Sequence, residues 1–388
     1  MKRYLISIFF SVCFIFSTLL CQAHDSRSEA HTEKIEFNLE VILPLTGNLA
    51  FLGDPIKNAF VLAKEHWQKK LNEEKISINL IFGDSQGSPK TAVTIYHKEK
   101  ALKNIHGVFS FLSGQTLALK PLAAADNIFF IAATVDPSVC KNSKNLIRPY
   151  YSFGAEGRAM VEVVSEKKPN KVGIIYSTDS ATAFEVEQIV LPGLKRMGIP
   201  SIIQPYRVGN RDFRTQVAVI KSEAPETVLT YGFGSDLPFL IHTIREQRVF
   251  NKSMVIGPIG IADAIPSKTT RPFVGMYYFG PTFLYKNYEK QNPEYCAFKT
   301  AYISRYGAVR FNESAVYAYD AYGLLSQAIL TTRSIDATSL MRIFTLKKMY
   351  GLAGEYTFDK SGNCNPPVGF AHILENGEIK LLRVFNGQ

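Results

Sequence analysis

Residues 107–134 read GVFSFLSGQTLALKPLAAADNIFFIAAT, and the order of features in this stretch decides the fold class. Residues 108–112 and 128–132 are short, almost uninterrupted apolar runs, the pattern of strands covered on both faces of a parallel sheet. Between them Leu117, Leu119, Leu122 and Ala125 form the apolar side of a crossover helix, which Pro121 would kink if it began at Gly114. The turn Ser113-Gly114-Gln115-Thr116 then falls at the carboxyl end of one strand and the amino end of that helix. N–H groups without intrahelical partners gather there, beside the positive end of the helix dipole, so a small anion can be held without a charged side chain. Ala133-Thr134 leaves the neighbouring strand at the same sheet edge, where open α/β folds bind ligands. Ser113, Gly114, Thr116, Ala133 and Thr134 are therefore candidate ligand-binding residues, although Ser113 and Thr116 can equally serve as helix caps.

The alternation extends both ways. Phe37, Leu39 and Val41 alternate into a strand, followed by Pro44-Leu45-Thr46-Gly47 and Gly53-Asp54-Pro55. Asp54 is placed to cap a helix and Pro55 to open it, and Ile56, Ala59, Phe60, Ala63, Trp67 and Leu71 give that helix an apolar stripe. A strand at 76–82 and a helix opening at Ser88-Pro89 lead into the central stretch. Beyond it, strands at 171–177, 202–208, 227–231 and 254–257 alternate with helices at 181–197, 213–222 and 237–247. Two successive β-α-β series predict two parallel-sheet lobes, each flanked by helices, and 388 residues suffice for both. Helices near 294–306 and 313–332 follow, then a hairpin of arms 369–374 and 379–385 turned by Asn376-Gly377. Late helices after two complete series imply that the chain recrosses, so that each lobe is built from separate pieces.

The N-terminus reads differently. Lys2 and Arg3 precede an uncharged, largely apolar run to Leu20, and Cys21-Gln22-Ala23 supplies the small residues of a cleavage site. We read 1–23 as a secretory signal peptide and 24–34 as a polar leader. Lipid anchoring at Cys21 is disfavoured by the bulky Leu20 before it. Removal of the signal takes two positive charges off the formal +10. The remaining Lys and Arg are scattered among Asp and Glu, with no basic stripe interleaved with aromatics, so no nucleic-acid partner is implied. Cys140, Cys296 and Cys364 remain in an oxidising compartment. One disulfide plus one buried thiol is expected, with the pair left open. Metal-ligand spacing is absent, and no cofactor fingerprint is complete: Gly232-Phe233-Gly234 lacks the third glycine. Without a Gly-x-Ser-x-Gly elbow, a Gly-Lys-Ser/Thr loop or a His-Glu-x-x-His helix, no enzyme is expected.

Taken in order, Pro44-Leu45-Thr46-Gly47, Gly53-Asp54, Phe82-Gly83-Asp84-Ser85, Ser113-Gly114, Ala133-Thr134, Asp212-Phe213, Tyr231-Gly232, Gly257-Pro258 and Tyr319-Asp320-Ala321 form a recognisable series. The chain resembles the periplasmic substrate-binding proteins of ABC transporters, of the branched-chain amino acid (Leu/Ile/Val-binding) type, from about residue 35 to the C-terminus. The resemblance implies a two-lobed type I periplasmic-binding-protein fold with a hinged cleft and three crossing strands. They are placed near 150–153, 280–283 and 333–337. Lobe 1 would then hold 35–150 and 283–333, and lobe 2 would hold 151–282 and 334–388.

The resemblance further implies a monomeric periplasmic receptor that captures a small molecule and delivers it to an ABC-type permease. Relatives hold an α-carboxylate at the positions of Ser113 and Ala133-Thr134. The ammonium end departs from the pattern: Ile259 stands where the Leu/Ile/Val binders carry a Glu. Phe233 keeps the ring of an aromatic but loses its hydroxyl, and Leu52 replaces a tyrosine. Phe184 is a candidate lid aromatic. These replacements predict a more apolar pocket and a ligand that keeps a carboxylate but need not carry an ammonium. The competing expectation is an ordinary amino acid whose ammonium meets Asp179, Asp236 or Asp263. An envelope sensor or structural module with an altered pocket is the alternative role.

Overall fold

The computed structural model of the protein describes residues 33–232, 236–264, 271–308 and 311–387, the side chains at 263–264 and 286–287 excepted. The signal peptide, nearly all of the leader, Phe233 and the side chain of Asp263 therefore lie outside the described residues. Strand β1 (Ile35–Leu43), helix α1 (Ala50–Glu73), β2 (Ile76–Asp84), α2 (Pro89–Lys103), β3 (Gly107–Phe111), α3 (Ser113–Ala125), β4 (Phe129–Ala133) and β5 (Leu146–Pro149) make the first series. The second begins with α4 (Phe153–Lys167), β6 (Val172–Ser177), α5 (Ser180–Glu185), α6 (Leu191–Arg196), β7 (Ser201–Tyr206) and α7 (Arg214–Glu223). It ends with β8 (Thr227–Tyr231), α8 (Leu237–Glu246), β9 (Met254–Gly257), α9 (Gly260–Ala264) and β10 (Tyr277–Pro281). The tail holds α10 (Lys286–Gln291), α11 (Pro293–Tyr306), α12 (Glu313–Thr332) and α13 (Ala337–Leu346). Five short strands close the chain: β11 (Met349–Gly351), β12 (Gly354–Tyr356), β13 (Asn363–Cys364), β14 (Val368–Ile373) and β15 (Ile379–Phe385).

These strands form two large sheets, ordered β13-β5-β4-β3-β1-β2 and β15-β14-β10-β9-β8-β6-β7. All pairings in the first are parallel, and β3 lies in register with β4 from Gly107↔Phe129 to Phe111↔Ala133. Every residue of β3 and β4 is buried, which is why these strands read as continuous apolar runs rather than alternating ones. In the second sheet only the terminal hairpin runs antiparallel, β14 against β10 and β15 against β14. Strand order reverses between β1 and β3 in one sheet and between β6 and β8 in the other. At such reversals the neighbouring crossovers diverge, leaving a crevice at the carboxyl ends of the strands.

Several local expectations are corrected. The chain does not leave the first lobe near 333–337. Helix α13 buries Leu340, Met341 and Phe344, and Phe344 stacks on Phe129 of β4 with ring centroids 5.6 Å apart. β13 then pairs with β5 (Asn363↔Arg148), so the third passage lies between Cys364 and Val368. Asp54 does not cap a helix, because α1 starts a turn earlier at Ala50 with Leu49 at its cap. Gly53 is set against Pro44 so closely that a Cβ there would lie 2.1 Å from the Pro44 carbonyl oxygen. The expected helix over 181–197 contains a π-helical turn at Val186–Val190. The wider turn precedes Pro192, which has no N–H to give to the ordinary ladder. No disulfide forms among the described residues: Cys140 and Cys364 are buried free thiols, and Cys296 is exposed on α11.

Two of the short motifs act as staples. The Asp84 carboxylate accepts the N–H of Leu45 (2.9 Å), the N–H of Thr46 (3.2 Å) and the Thr46 hydroxyl (2.6 Å), which fixes the loop after β1. Asp320 accepts the N–H groups of Leu352 and Ala353 and the Tyr356 hydroxyl, tying α12 to the β11–β12 hairpin. No described helix is long and apolar enough to cross a membrane.

Candidate ligand-binding cleft

At the carboxyl ends of both sheets lies a cleft of about 310 Å³. The first lobe contributes the β3–α3 turn, the end of β4 and the start of α12, through Leu112 to Gln115, Ala133 to Val135 and Glu313-Ser314. The second contributes the start of α5 (Asp179 to Ala181), Gly232 after β8 and Ile259-Gly260 after β9. Gly232 and Gly260 are required by close approach: a Cβ on Gly260 would lie 2.6 Å from the Gly232 carbonyl oxygen, and one on Gly232 would lie 1.9 Å from the Tyr206 hydroxyl.

The β3–α3 turn is built under strain. Leu112 has φ +78° and ψ 135°, a backbone region that residues with a side chain rarely occupy. That kink starts α3 at Ser113, with the free N–H groups of its first turn at the cleft. The Ser113 and Thr134 hydroxyl oxygens are 2.5 Å apart, so two adjacent strand ends present one joint polar spot. Thr116 is not part of it. Its hydroxyl is fully buried and donates to the Leu112 carbonyl (3.0 Å) and to Ser110 (3.3 Å), securing the turn from behind. Gln115 is also buried at the cleft wall, and its amide nitrogen and oxygen have no partner among the described residues.

Arg148, fully buried in β5, stands behind this spot. The five N–H groups of its guanidinium serve six oxygens: the carbonyls of Thr134 (3.0 Å), Tyr150 and Tyr151 (2.8 Å each) and Cys364 (2.5 Å), and the side-chain oxygens of Asn363 (2.7 Å) and Asn365 (2.9 Å). No carboxylate is among these partners. One cation therefore ties the Thr134 backbone to the first and third interlobe passages, and it places a positive charge beneath the anion end of the cleft with no carboxylate hydrogen-bonded to it. Burial lowers the pKa of Arg148 from its ordinary value, but a guanidinium stays protonated in proteins.

Among the described residues, two carboxylates reach the cleft wall. Asp179 is committed to capping α5, accepting the N–H of Ala181 (3.1 Å) and Thr182 (3.0 Å) on one oxygen and the Ser177 hydroxyl on the other. Glu313, 6% exposed, has one side-chain bond among the described residues, from the Ser314 hydroxyl at 3.3 Å. Ser314 is in turn 2.8 Å from the Tyr150 hydroxyl. Behind Ile259 a second acidic group is sealed in the lobe. One Glu156 oxygen accepts the Tyr151 hydroxyl (2.6 Å) and the Ile259 N–H (3.0 Å), and Glu185 lies beside it. Burial raises both acids, Glu156 to about 7 and Glu185 well above the ordinary range, so the pair retains a proton at neutral pH.

The cleft thus brings together Leu52, Ser113, Gly114, Ala133, Thr134 and Ile259 of the sequence candidates. Thr116 faces inward, and half-buried Phe184 lies on α5 outside the cleft wall, where Ser180 and Ala181 stand instead. Asp236 is buried and accepts the Gly209 N–H (3.1 Å), also away from the wall. Sequence reasoning missed Tyr150, Phe153 and Glu313, which enter through the interlobe passages and α12 rather than through the β-α turns. The only local signal at Glu313 is Asn312 before it, which caps α12 by accepting the Ala315 N–H.

Comparison with known proteins places this architecture. A family model for periplasmic binding proteins matches residues 39–378. A Leu/Ile/Val-binding protein homolog 2 from Brucella abortus is 22% identical over 335 residues, covering 82% of this chain and 85% of the relative. Among solved structures, a leucine binding protein from Thermotoga maritima superposes with a TM-score of 0.76 at 20% identity, covering 90% of this chain and 99% of that one. An ABC transporter solute binding protein from R. palustris, in complex with 4-hydroxybenzoate, gives 0.78 at 15% identity, covering 91% and 98%.

Proposed function

This chain belongs to the periplasmic binding protein family, and from that premise we propose that it is a solute-binding receptor that works in the periplasm without turnover. It closes its two lobes on an amino acid or related small carboxylate and presents the closed form to the permease of an ABC transporter. The observation that carries this reading is the pairing of the Ser113 and Thr134 hydroxyls at the start of α3, inside a cleft walled by both lobes. A carboxylate there meets hydroxyls, unpaired N–H groups and the positive helix end, with Arg148 behind, while Phe111, Phe153 and Ile259 offer apolar cover. A ligand spanning the cleft contacts both lobes only when they close, and so shifts the open–closed equilibrium by its extra contacts in the closed form.

A thermal-shift panel of the L-amino acids and small aliphatic and aromatic carboxylates, followed by calorimetry on the best members, tests the proposal. One-to-one binding of a carboxylate, weakened by Thr134→Val, is expected. No binding anywhere in the panel would overturn it.

A further inference from the structure

Glu313 lines the cleft at 6% exposure, and no Lys, Arg or His pairs with it among the described residues. Its side-chain bond comes from the neutral Ser314 hydroxyl, itself engaged with Tyr150. A carboxylate mostly screened from water at a cleft wall and met by one neutral hydroxyl favours a cationic group brought by a ligand. Glu313 stands in the first turn of α12, a twenty-residue helix. Asp179, the other carboxylate at the wall among the described residues, is already held by two N–H groups and a hydroxyl.

We propose that Glu313 is the specificity-determining residue of the cleft: it receives the ammonium of a zwitterionic ligand whose carboxylate lies at Ser113 and Thr134. This rests on the receptor reading above and narrows its ligand class to amino acids. It also changes the order of events. Both charged ends of the ligand are then held by the first lobe, and the second lobe supplies apolar cover from Phe153, Ala181 and Ile259. The replacement of an acid by Ile259 in the second lobe is therefore not a loss of ammonium recognition but its transfer to the other wall.

The test uses calorimetry on the mature chain with the best-binding L-amino acid and its deaminated counterpart, the same carboxylic acid without the amine. The wild type should bind the amino acid at least 100-fold more tightly. Glu313→Gln, which keeps size and hydrogen-bonding capacity, should weaken the amino acid by about 100-fold and the deaminated acid by less than threefold. Glu313→Asp should keep most of the discrimination, and thermal unfolding verifies that each variant is folded. Equal affinity for the two ligands in the wild type, or an unchanged ratio in Glu313→Gln, overturns the role of Glu313 while leaving the receptor reading standing. Absence of binding by the wild type to every carboxylate overturns both.

Discussion

Replacing Arg148 by Met removes the donor group that serves six oxygens in a site with no access to water. The carbonyls of Thr134, Tyr150, Tyr151 and Cys364 lose that partner, and each stranded acceptor costs about 1–3 kcal/mol. Part of this is recovered, because the buried guanidinium no longer has to be desolvated. Four stranded acceptors less that recovery leave a net loss of about 3–5 kcal/mol. That is a large share of the roughly 5–15 kcal/mol that holds a folded domain together. Arg148→Lys should recover less than half, because an ammonium cannot match a planar fork that serves six oxygens at once. Urea unfolding measures the loss, read by far-UV circular dichroism and by the fluorescence of Trp67, the single tryptophan, on α1 of the first lobe. A midpoint shift worth less than 1 kcal/mol for Arg148→Met would refute the claim that this side chain ties the passages together.

Three further outcomes are expected. Thr134→Val removes one hydroxyl from the anion end, and a hydrogen bond to a charged group contributes about 1.5–3 kcal/mol, so calorimetry should show affinity falling by about 10- to 150-fold. Burial raises Glu156 to about 7 and Glu185 higher, and raises Glu40 to about 8. The folded chain therefore holds protons that the unfolded chain releases near pH 4.5, so the contribution of these three acids to stability is full below that pH and declines as pH rises towards 8, at most about 1.4 kcal/mol per pH unit for each titrating group. Glu185→Gln should make that decline shallower and raise stability at pH 8, and identical profiles in urea unfolding at pH 5 to 8 would contradict this. Thiol titration of the native protein should label Cys296 rapidly and leave Cys140 and Cys364 unreacted until the chain unfolds, whereas a disulfide between two of them would leave those two unlabelled even then.

Much of the architecture was legible because it rests on local patterns. β3 and β4 are buried on both faces and so read as apolar runs, and Ser88-Pro89 and Asn376-Gly377 carry their own capping and turn chemistry. The hydroxyl pair was legible for the same reason, since a residue that ends a parallel strand is placed by topology alone. Other features depend on partners distant in sequence. β13 is two residues long and exists only through its pairing with β5, so nothing local marks where the chain recrosses. Arg148 looks like an ordinary surface cation until Asn363 and Asn365 are brought to it from the far end of the chain. Glu313 reads as a favourable first-turn acid, and only the position of α12 against the first lobe turns it towards the cleft. Phe184 failed for the opposite reason: a helical aromatic about one turn from a loop can face either way, and here the α5 start, not its end, meets the cleft.

Native mass spectrometry of the protein purified without denaturant from its own envelope tests the central claim most directly. The account predicts a one-to-one adduct that fragments as a small carboxylate, of a size that a cleft of about 310 Å³ encloses, and that is diminished in Thr134→Val. An adduct without a carboxylate, or one retained undiminished by Thr134→Val, would contradict it.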